Sequence, residues 1–374
     1  MQARYGTIEG CYMTEVSEPQ QMAMSSAAHH LIVPFAAASS ARCQARLDQL
    51  TLRHLPVLLG RLQREQDVQC DEYSYSPPHE HVLARALGWP EASRQDGCMP
   101  WAAYLARRHG LEGASSLPWG VVTLCHWQIH ADHVTMAHPA DLHLSAAEGD
   151  ALLAAMHPWF AEEGLHLVPL PVDKTGVLQW LACGPSLEGL RTASLDRVCG
   201  RNVEGWMALA AKASTSPTAA HSAPLRRLQS EMQMLLYTHP VNDARAEQGA
   251  LPVNSFWLWG AGSLPAEPPR PSAEVSAPEA GTPALLHPHV LRQLALPALR
   301  EDWDAWEKAW HWLDEAVFGP LLAQLRGGQA PRVRITLCSE RGATTWHNDQ
   351  RPGLLRLLGR QLRPLQMARV LESL

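Results

Sequence analysis

The chain has 374 residues and a formal net charge of −6, enough length for one large domain or two to three ordinary ones. With 31 basic residues against 37 acidic ones, it has no cationic surplus to displace phosphate counterions, which excludes an obligate nucleic-acid binder. No apolar run reaches the roughly 18 residues of a membrane-spanning helix, and no basic-then-apolar leader opens the chain. A cytoplasmic protein with no membrane partner is therefore expected.

In chain order, residues 1–27 are polar and weakly patterned and are expected to be disordered, with Met22 and Met24 as alternative starts. Leu31–Phe35 reads as a first strand, followed by small residues that turn into a helix near Arg46–Arg64. That helix would carry Leu47, Leu50, Leu55, Leu58, Leu59 and Leu62 on one apolar face. Shorter helical patterns follow at His81–Leu87 and at Pro100–His109, where proline opens a helix, so the N-terminal part reads as helical. Trp119–Met136 reads as strands. Ser145–Glu163 is a helix with Ser145 as N-cap and Glu148 three residues on, the pattern of a capping box. Leu165–Leu170 and Val177–Cys183 are further strands.

Next comes the segment Arg227–Gly262. Leu225, Leu228, Met232, Leu235 and Leu236 recur at helical spacing, with Arg226, Gln229, Ser230 and Gln233 assigned to the other side. His239-Pro240 is expected to end that helix. Asn242, Asp243 and Gly249 then read as turn residues, and Val253–Trp259 as a short buried strand closed by Gly260 and Gly262. Those glycines either turn the chain or let a ligand approach the backbone. The runs at 214–224 and 262–283 look like linkers. Beyond them Trp303, Trp306, Trp310, Leu313 and Val317 form an aromatic stripe, Val333–Leu337 a strand, and Pro364–Leu371 a terminal helix.

The eight cysteines form no CxxC pair, which argues against a disulfide framework and a thiolate zinc site. Histidine is clustered at His126, His130, His133, His138 and His143. Two or three of these with Asp132 or Asp141 have the donor chemistry of a metal site, but no HExxH-type spacing is present and ordinary polar histidine is the competing reading. No nucleophile elbow or phosphate loop occurs. Arg191, Thr192, Ser194, Asp196, Arg197 and Arg201 form a polar turn whose arginines could hold a phosphate or carboxylate.

The residues His239-Pro240-Val241-Asn242, Arg245, Asn254 and Trp257-Leu258-Trp259-Gly260-Ala261-Gly262 resemble a segment of the archaeal-type cofactor-independent phosphoglycerate mutases. The whole chain is also similar to bacterial regulatory proteins of the RpfE type, which are grouped with those mutases. The resemblance implies an α/β fold, a layered core with a mostly parallel or mixed sheet flanked by helices, akin to the alkaline phosphatase superfamily. The implied layout is residues 28–262 as the mutase-like region, 263–284 as a Pro-rich linker or loop, and 285–374 completing the core.

It implies a substrate- or ligand-binding set of Asp196, Arg197, His239, Asn242, Arg245, Asn254, Trp257, Gly260 and Gly262, and, in an active enzyme, divalent manganese or zinc. No metal ligand carries over. Where the mutases have a metal-binding aspartate after their first strand, this chain has Phe35 and alanines, and Cys338-Ser339-Glu340 replaces their aspartate-histidine pair. The expected function is thus a catalytically silent, mutase-like regulatory protein that binds a phosphorylated metabolite or a protein partner without a cofactor. The alternatives are an active phosphate-ester enzyme using Asp196, Arg197, Asn242, Arg245 and Asn254, and an interaction module displaying Trp303, Trp306 and Trp310.

Overall fold

The structure, a computed structural model, describes residues 29–172, 176–207, 217–265, 287–327, 332–348 and 365–374, without the side chains at 66, 67, 217–222 and 287. The expectations for 1–27 and for most of the 263–284 run lie outside the described residues. Among the described residues the strands are, in chain order, β1 His29–Val33, β2 Gln63–Gln69, β3 Trp119–Cys125, β4 Trp127–Ile129, β5 Val134–Met136, β6 His166–Pro169, β7 Gln179–Cys183, β8 Ser255–Gly262, β9 His287–Val290, β10 Val333–Cys338 and β11 Gly342–His347. The chain is of the mixed α/β class. It divides into two compact units, one made of 73–76 and 89–266, the other of the remaining described residues.

The second unit carries a mixed five-stranded sheet in the order β2-β11-β10-β1-β9. β1 runs parallel to both β10 and β9, while β10–β11 and β11–β2 are antiparallel. Every residue of β1 is buried, as expected for a strand with parallel neighbours on both sides. Inside the sheet, His30 Nε2 lies 2.8 Å from Thr336 Oγ1, which is 2.6 Å from Thr345 Oγ1.

The leucines assigned to a single helix over Arg46–Arg64 are buried as expected, but the helix is not continuous. Ser40 caps Ala41–Leu47, a separate short helix covers Leu55–Leu59, and Gln63 already belongs to β2. Pro56 explains the break: it lacks an N–H and is tolerated only in a first turn. That turn is capped by a distant residue. Asp314 accepts N–H bonds from Arg53 at 2.7 Å, His54 at 3.0 Å and Leu55 at 2.8 Å.

The tryptophan stripe lies on the helix Trp303–Leu313, with Trp303, Trp306 and Trp310 no more than 6 % exposed. Consecutive rings meet edge to face at 5.9 and 6.0 Å, and the Trp306 indole donates to the Phe35 carbonyl at 2.9 Å. The stripe is therefore core, and an interaction module built on these three indoles loses its basis.

The first unit carries an antiparallel four-stranded sheet in the order β6-β7-β3-β8, with β4 and β5 as a separate hairpin. β3 and β8 are buried throughout. The helix Ala146–Glu162 has both bonds of the expected capping box. The helix Pro217–Tyr237 packs Leu228, Met232 and Leu236 into the same core as Phe256 and Leu258.

Two local expectations fail here. His239-Pro240 ends one helix but starts another: His239 caps Pro240–Glu247, and Asn242 and Asp243 are helical rather than turn residues. Gly260 and Gly262 lie inside β8 rather than after it. Trp119 pairs with Gly262 and Val121 with Trp259, so Gly120 alone faces two residues of β8. With Gly260 at φ +63, this is a bulge that needs glycine in the left-handed region.

Candidate functional site

The HPVN-to-WLWGAG residues come together as framework. Asn242 is 7 % exposed. Its Nδ2 donates to the carbonyls of Leu236 at 2.8 Å and Val253 at 2.7 Å, and its Oδ1 accepts the Val253 N–H at 2.8 Å. It thereby ties the end of one helix to the residue that leads into β8. Each of the three nitrogens of Arg245 is also engaged, Nε with Leu251 O at 2.7 Å, Nη1 with Glu148 Oε1 at 2.7 Å, and Nη2 with Leu142 O.

Burial pushes the Glu148 carboxyl up, but bonds from the Ser145 main chain and hydroxyl and from Arg245 outweigh it and hold the group below its ordinary range. Asn254 clasps Trp127, accepting its N–H at 2.7 Å and donating to its carbonyl at 2.8 Å. His239 Nδ1 accepts the Val241 N–H at 3.3 Å.

The polar atoms of Asn242 and Asn254 are thus engaged by the protein's own main chain, and those of Arg245 by two carbonyls and the Glu148 carboxylate. Gly260 and Gly262 face protein too: a Cβ on Gly260 would stand 3.0 Å from Trp101 Cβ, and one on Gly262 would stand 3.4 Å from Pro100 Cβ.

Asp196 and Arg197 share the single turn Leu195–Val198 and are buried. Arg197 donates to Ser74 Oγ and to the Ser76 carbonyl, acceptors distinct from those of Arg245. The segment Arg197 holds is the one that carries Tyr75. Asp96 accepts the Tyr75 and Ser76 N–H groups at 3.1 and 2.7 Å, Ser194 N donates to the Tyr75 carbonyl at 2.9 Å, and the Arg191 guanidinium lies 4.6 Å from the Tyr75 ring centre. Burial pushes the Tyr75 phenol and the Cys98 thiol up, Arg191 draws both down, and Asp96 adds to the rise.

Tyr75 forms one wall of a cavity of about 460 Å³, with Trp127, Trp206, Trp257 and Leu258 as other apolar lining and Arg191, Thr192, Glu204, Arg226 and Gln229 as its polar groups. Its size and lining suit a small organic molecule. The Trp257 indole N–H is satisfied by Ala193 O at 2.9 Å and that of Trp206 by Ser74 O at 3.3 Å, which fixes both rings. Of the residues read from the sequence as a binding set, only Trp257 lines this cavity; Arg191 and Thr192 of the polar turn also line it.

Gln229 was the clearest miss. It was assigned to the polar side of its helix but is 9 % exposed. At 100° per residue Gln229 falls about 20° beyond Leu236, just outside the apolar arc, so its angle alone places it at the border between the buried and the polar side.

Within the histidine cluster the His130 and His133 rings stack with centres 4.4 Å apart. His126 Nδ1 contacts Pro252 O at 2.8 Å, His133 Nδ1 lies 2.6 Å from Asp132, and His138 accepts the Ala140 N–H at 3.1 Å. Among the described residues, the group with metal-ligand spacing is His54, Asp314 and Glu315, in which Asp314 is already occupied as a helix cap.

The two divalent ions of the mutases require clustered carboxylates and imidazoles. Where β1 and β10 end side by side, with Ala36 N donating to Cys338 O at 2.8 Å, stand Phe35, Ala36, Ala37 and Ala38 opposite Cys338, Ser339 and Glu340. The Glu340 carboxylate there accepts the Ser39 N–H at 3.1 Å and hydroxyl at 2.7 Å. The buried His79 imidazole also stands here, 5.9 Å from the Phe35 ring between centres, with the buried Glu80 next to it in sequence.

No family model matches the chain, and no curated protein matches it. Among solved structures it is similar to the cofactor-independent phosphoglycerate mutase of Thermoplasma acidophilum, with a TM-score of 0.35 and 14 % identity over 92 % of this chain and 99 % of that one. It is also similar to the PH0037 protein of Pyrococcus horikoshii, with a TM-score of 0.40 and 12 % identity over 86 % and 87 % of the two chains.

Proposed function

We propose that this protein works by binding a small organic metabolite in the aromatic cavity of its first unit, as a mutase-like regulatory protein that does not turn over phosphate esters. The observation that carries this reading is the cavity of about 460 Å³ walled by Tyr75, Trp127, Trp206 and Trp257, whose indole and phenol rings are held by protein contacts in advance of any ligand. Preformed aromatic walls reduce the ordering cost of binding. A further observation supports it: Arg197 donates to the Ser74 hydroxyl and the Ser76 carbonyl, and Arg245 to the Leu251 and Leu142 carbonyls and to Glu148. An apolar lining also favours an organic body over a bare phosphate ester.

Titration of the full chain with the fluorophore 1-anilinonaphthalene-8-sulfonate tests the reading. Saturable one-to-one binding is expected, and Leu225→Trp, which fills the cavity from the helix side, is expected to abolish it while leaving the circular dichroism unchanged. Failure of saturable binding would count against the reading. So would interconversion of phosphoglycerates on addition of manganese or zinc, removed by a chelator.

A further inference from the structure

Three polar residues of the cavity wall are mostly buried and incompletely hydrogen-bonded by the protein: Gln229, Thr192 and Trp127, whose indole Nε1 is buried with no hydrogen-bond partner among the described residues. Gln229 is 9 % exposed, and its carboxamide makes one long contact, from Nε2 to Phe256 O at 3.5 Å, the outer limit of a hydrogen bond. A carbonyl accepts only from the NH₂ end, so the Gln229 oxygen is turned away from Phe256 and has no protein partner among the described residues.

Thr192 is 7 % exposed. Its Oγ1 accepts the Ala261 N–H at 3.5 Å, and its own hydroxyl proton has no acceptor among the described residues. Buried polar groups are almost always satisfied, and leaving one unmade is costly. Here the Gln229 oxygen, the Thr192 hydroxyl proton and the Trp127 indole N–H are left without protein partners among the described residues on the wall of one cavity.

Charge does not select the ligand. The lining holds Arg191, Arg226 and Glu204, and Arg191 is already paired with Asp96 at 3.3 Å, which leaves one group of each sign.

Resting on the small-molecule reading above, we propose that the cavity takes a neutral, flat, bicyclic heteroaromatic molecule with an amide-type edge. Its ring system lies against Trp127, Trp206 and Trp257, its N–H donates to Gln229 Oε1, and its carbonyl or ring nitrogen accepts from the Thr192 hydroxyl. A site built to hydrogen-bond such an edge rejects the analogue that lacks it, because its own buried groups are then left unpaired.

Quinolin-2(1H)-one and naphthalene have the same bicyclic outline and differ in the lactam edge. Displacement of 1-anilinonaphthalene-8-sulfonate from the full chain gives the dissociation constant of each. The preference for quinolinone over naphthalene, each dissociation constant being corrected for the variant's own affinity for the fluorophore, is expected to fall about tenfold in Gln229→Met and several-fold in Thr192→Val. On the wild-type chain alone, N-methylquinolin-2-one, which has lost the donor, is expected to bind about tenfold more weakly than quinolinone.

If both bicyclic probes bind and the preference stays within about twofold across the variants, or the N-methyl compound binds as well as its parent, the amide-edge proposal is overturned and the small-molecule reading stands. If neither the probes nor the fluorophore bind, both fall.

Discussion

Replacing Asn242 by alanine separates a framework role from a ligand role for the HPVN segment. The substitution removes two donated bonds, to Leu236 O and Val253 O, and one accepted bond, from Val253 N–H. A hydrogen bond contributes about 0.5–1.5 kcal/mol net, and a buried group left without a partner costs about 1–3 kcal/mol. Leu236 is fully buried and Val253 likewise, so water does not readily replace the lost partner.

A loss of about 2–4 kcal/mol from the first unit is expected. Asn242→Asp should fare no better, because it keeps the acceptor for Val253 N–H but sets a carboxylate against two carbonyls. The assay is urea unfolding followed by far-UV circular dichroism, together with exchange of the Val253 amide. Local opening made easier by about 2 kcal/mol accelerates that exchange by roughly 30-fold. A midpoint shift worth less than about 1 kcal/mol, with Val253 still protected, would refute the clamp, and weakened ligand binding in a variant of unchanged stability would restore Asn242 to the site.

Arg245→Met is expected to destabilise by about 2–3 kcal/mol, less than a fully buried pair would lose, because the Glu148 side chain is 26 % exposed and keeps its bonds from Ser145. Since the folded-state Glu148 carboxyl titrates below its ordinary range, its contribution is complete above the unfolded value of about 4.3 and is lost as the pH falls through the folded value. The stability gap between wild type and Arg245→Met should therefore be full at neutral pH and shrink below about pH 4; a gap that widens in acid would contradict the pairing.

Gly260→Ala meets both a φ of +63 and Trp101 at 3.0 Å, whereas Gly249→Ala, at φ +68, meets nothing within 4 Å. The first is expected to cost about 1–3 kcal/mol more than the second by thermal denaturation, and equal costs would rule out the close approach. Asp314→Ala should expose three N–H groups and accelerate exchange at Arg53, His54 and Leu55, at a cost of about 2–3 kcal/mol to the second unit. Unchanged exchange at those amides would show that the cap is not formed in solution.

Elements whose own periodicity matched their burial were readable in the sequence. The Ser145/Glu148 box, the Trp303–Leu313 stripe and the apolar run of β3 needed only local pattern, because a helix face advertises itself at a 3.6-residue period and a doubly covered strand as a continuous apolar run. β2 could not be read in that way. Its sequence, QREQDVQ, has no apolar alternation, and it is a strand because β11 supplies the partner for its main chain. Likewise His239-Pro240 carried a correct helix-stop signal that was also the next helix's start, since proline fits the first turn.

The sequence by itself determined the α/β class and most core residues. Tertiary structure decided what the polar residues do. Asn242, Arg245, Asn254 and Asp314 carry the same side chains whether they bind a substrate or a main-chain carbonyl or N–H 6 to 261 residues away in the chain, and only the folded backbone supplies those carbonyls and N–H groups. It also brought Tyr75, Thr192, Gln229 and Trp257, which share no local pattern, onto one cavity wall, because a cavity is a property of packing between distant segments and leaves no period in the sequence.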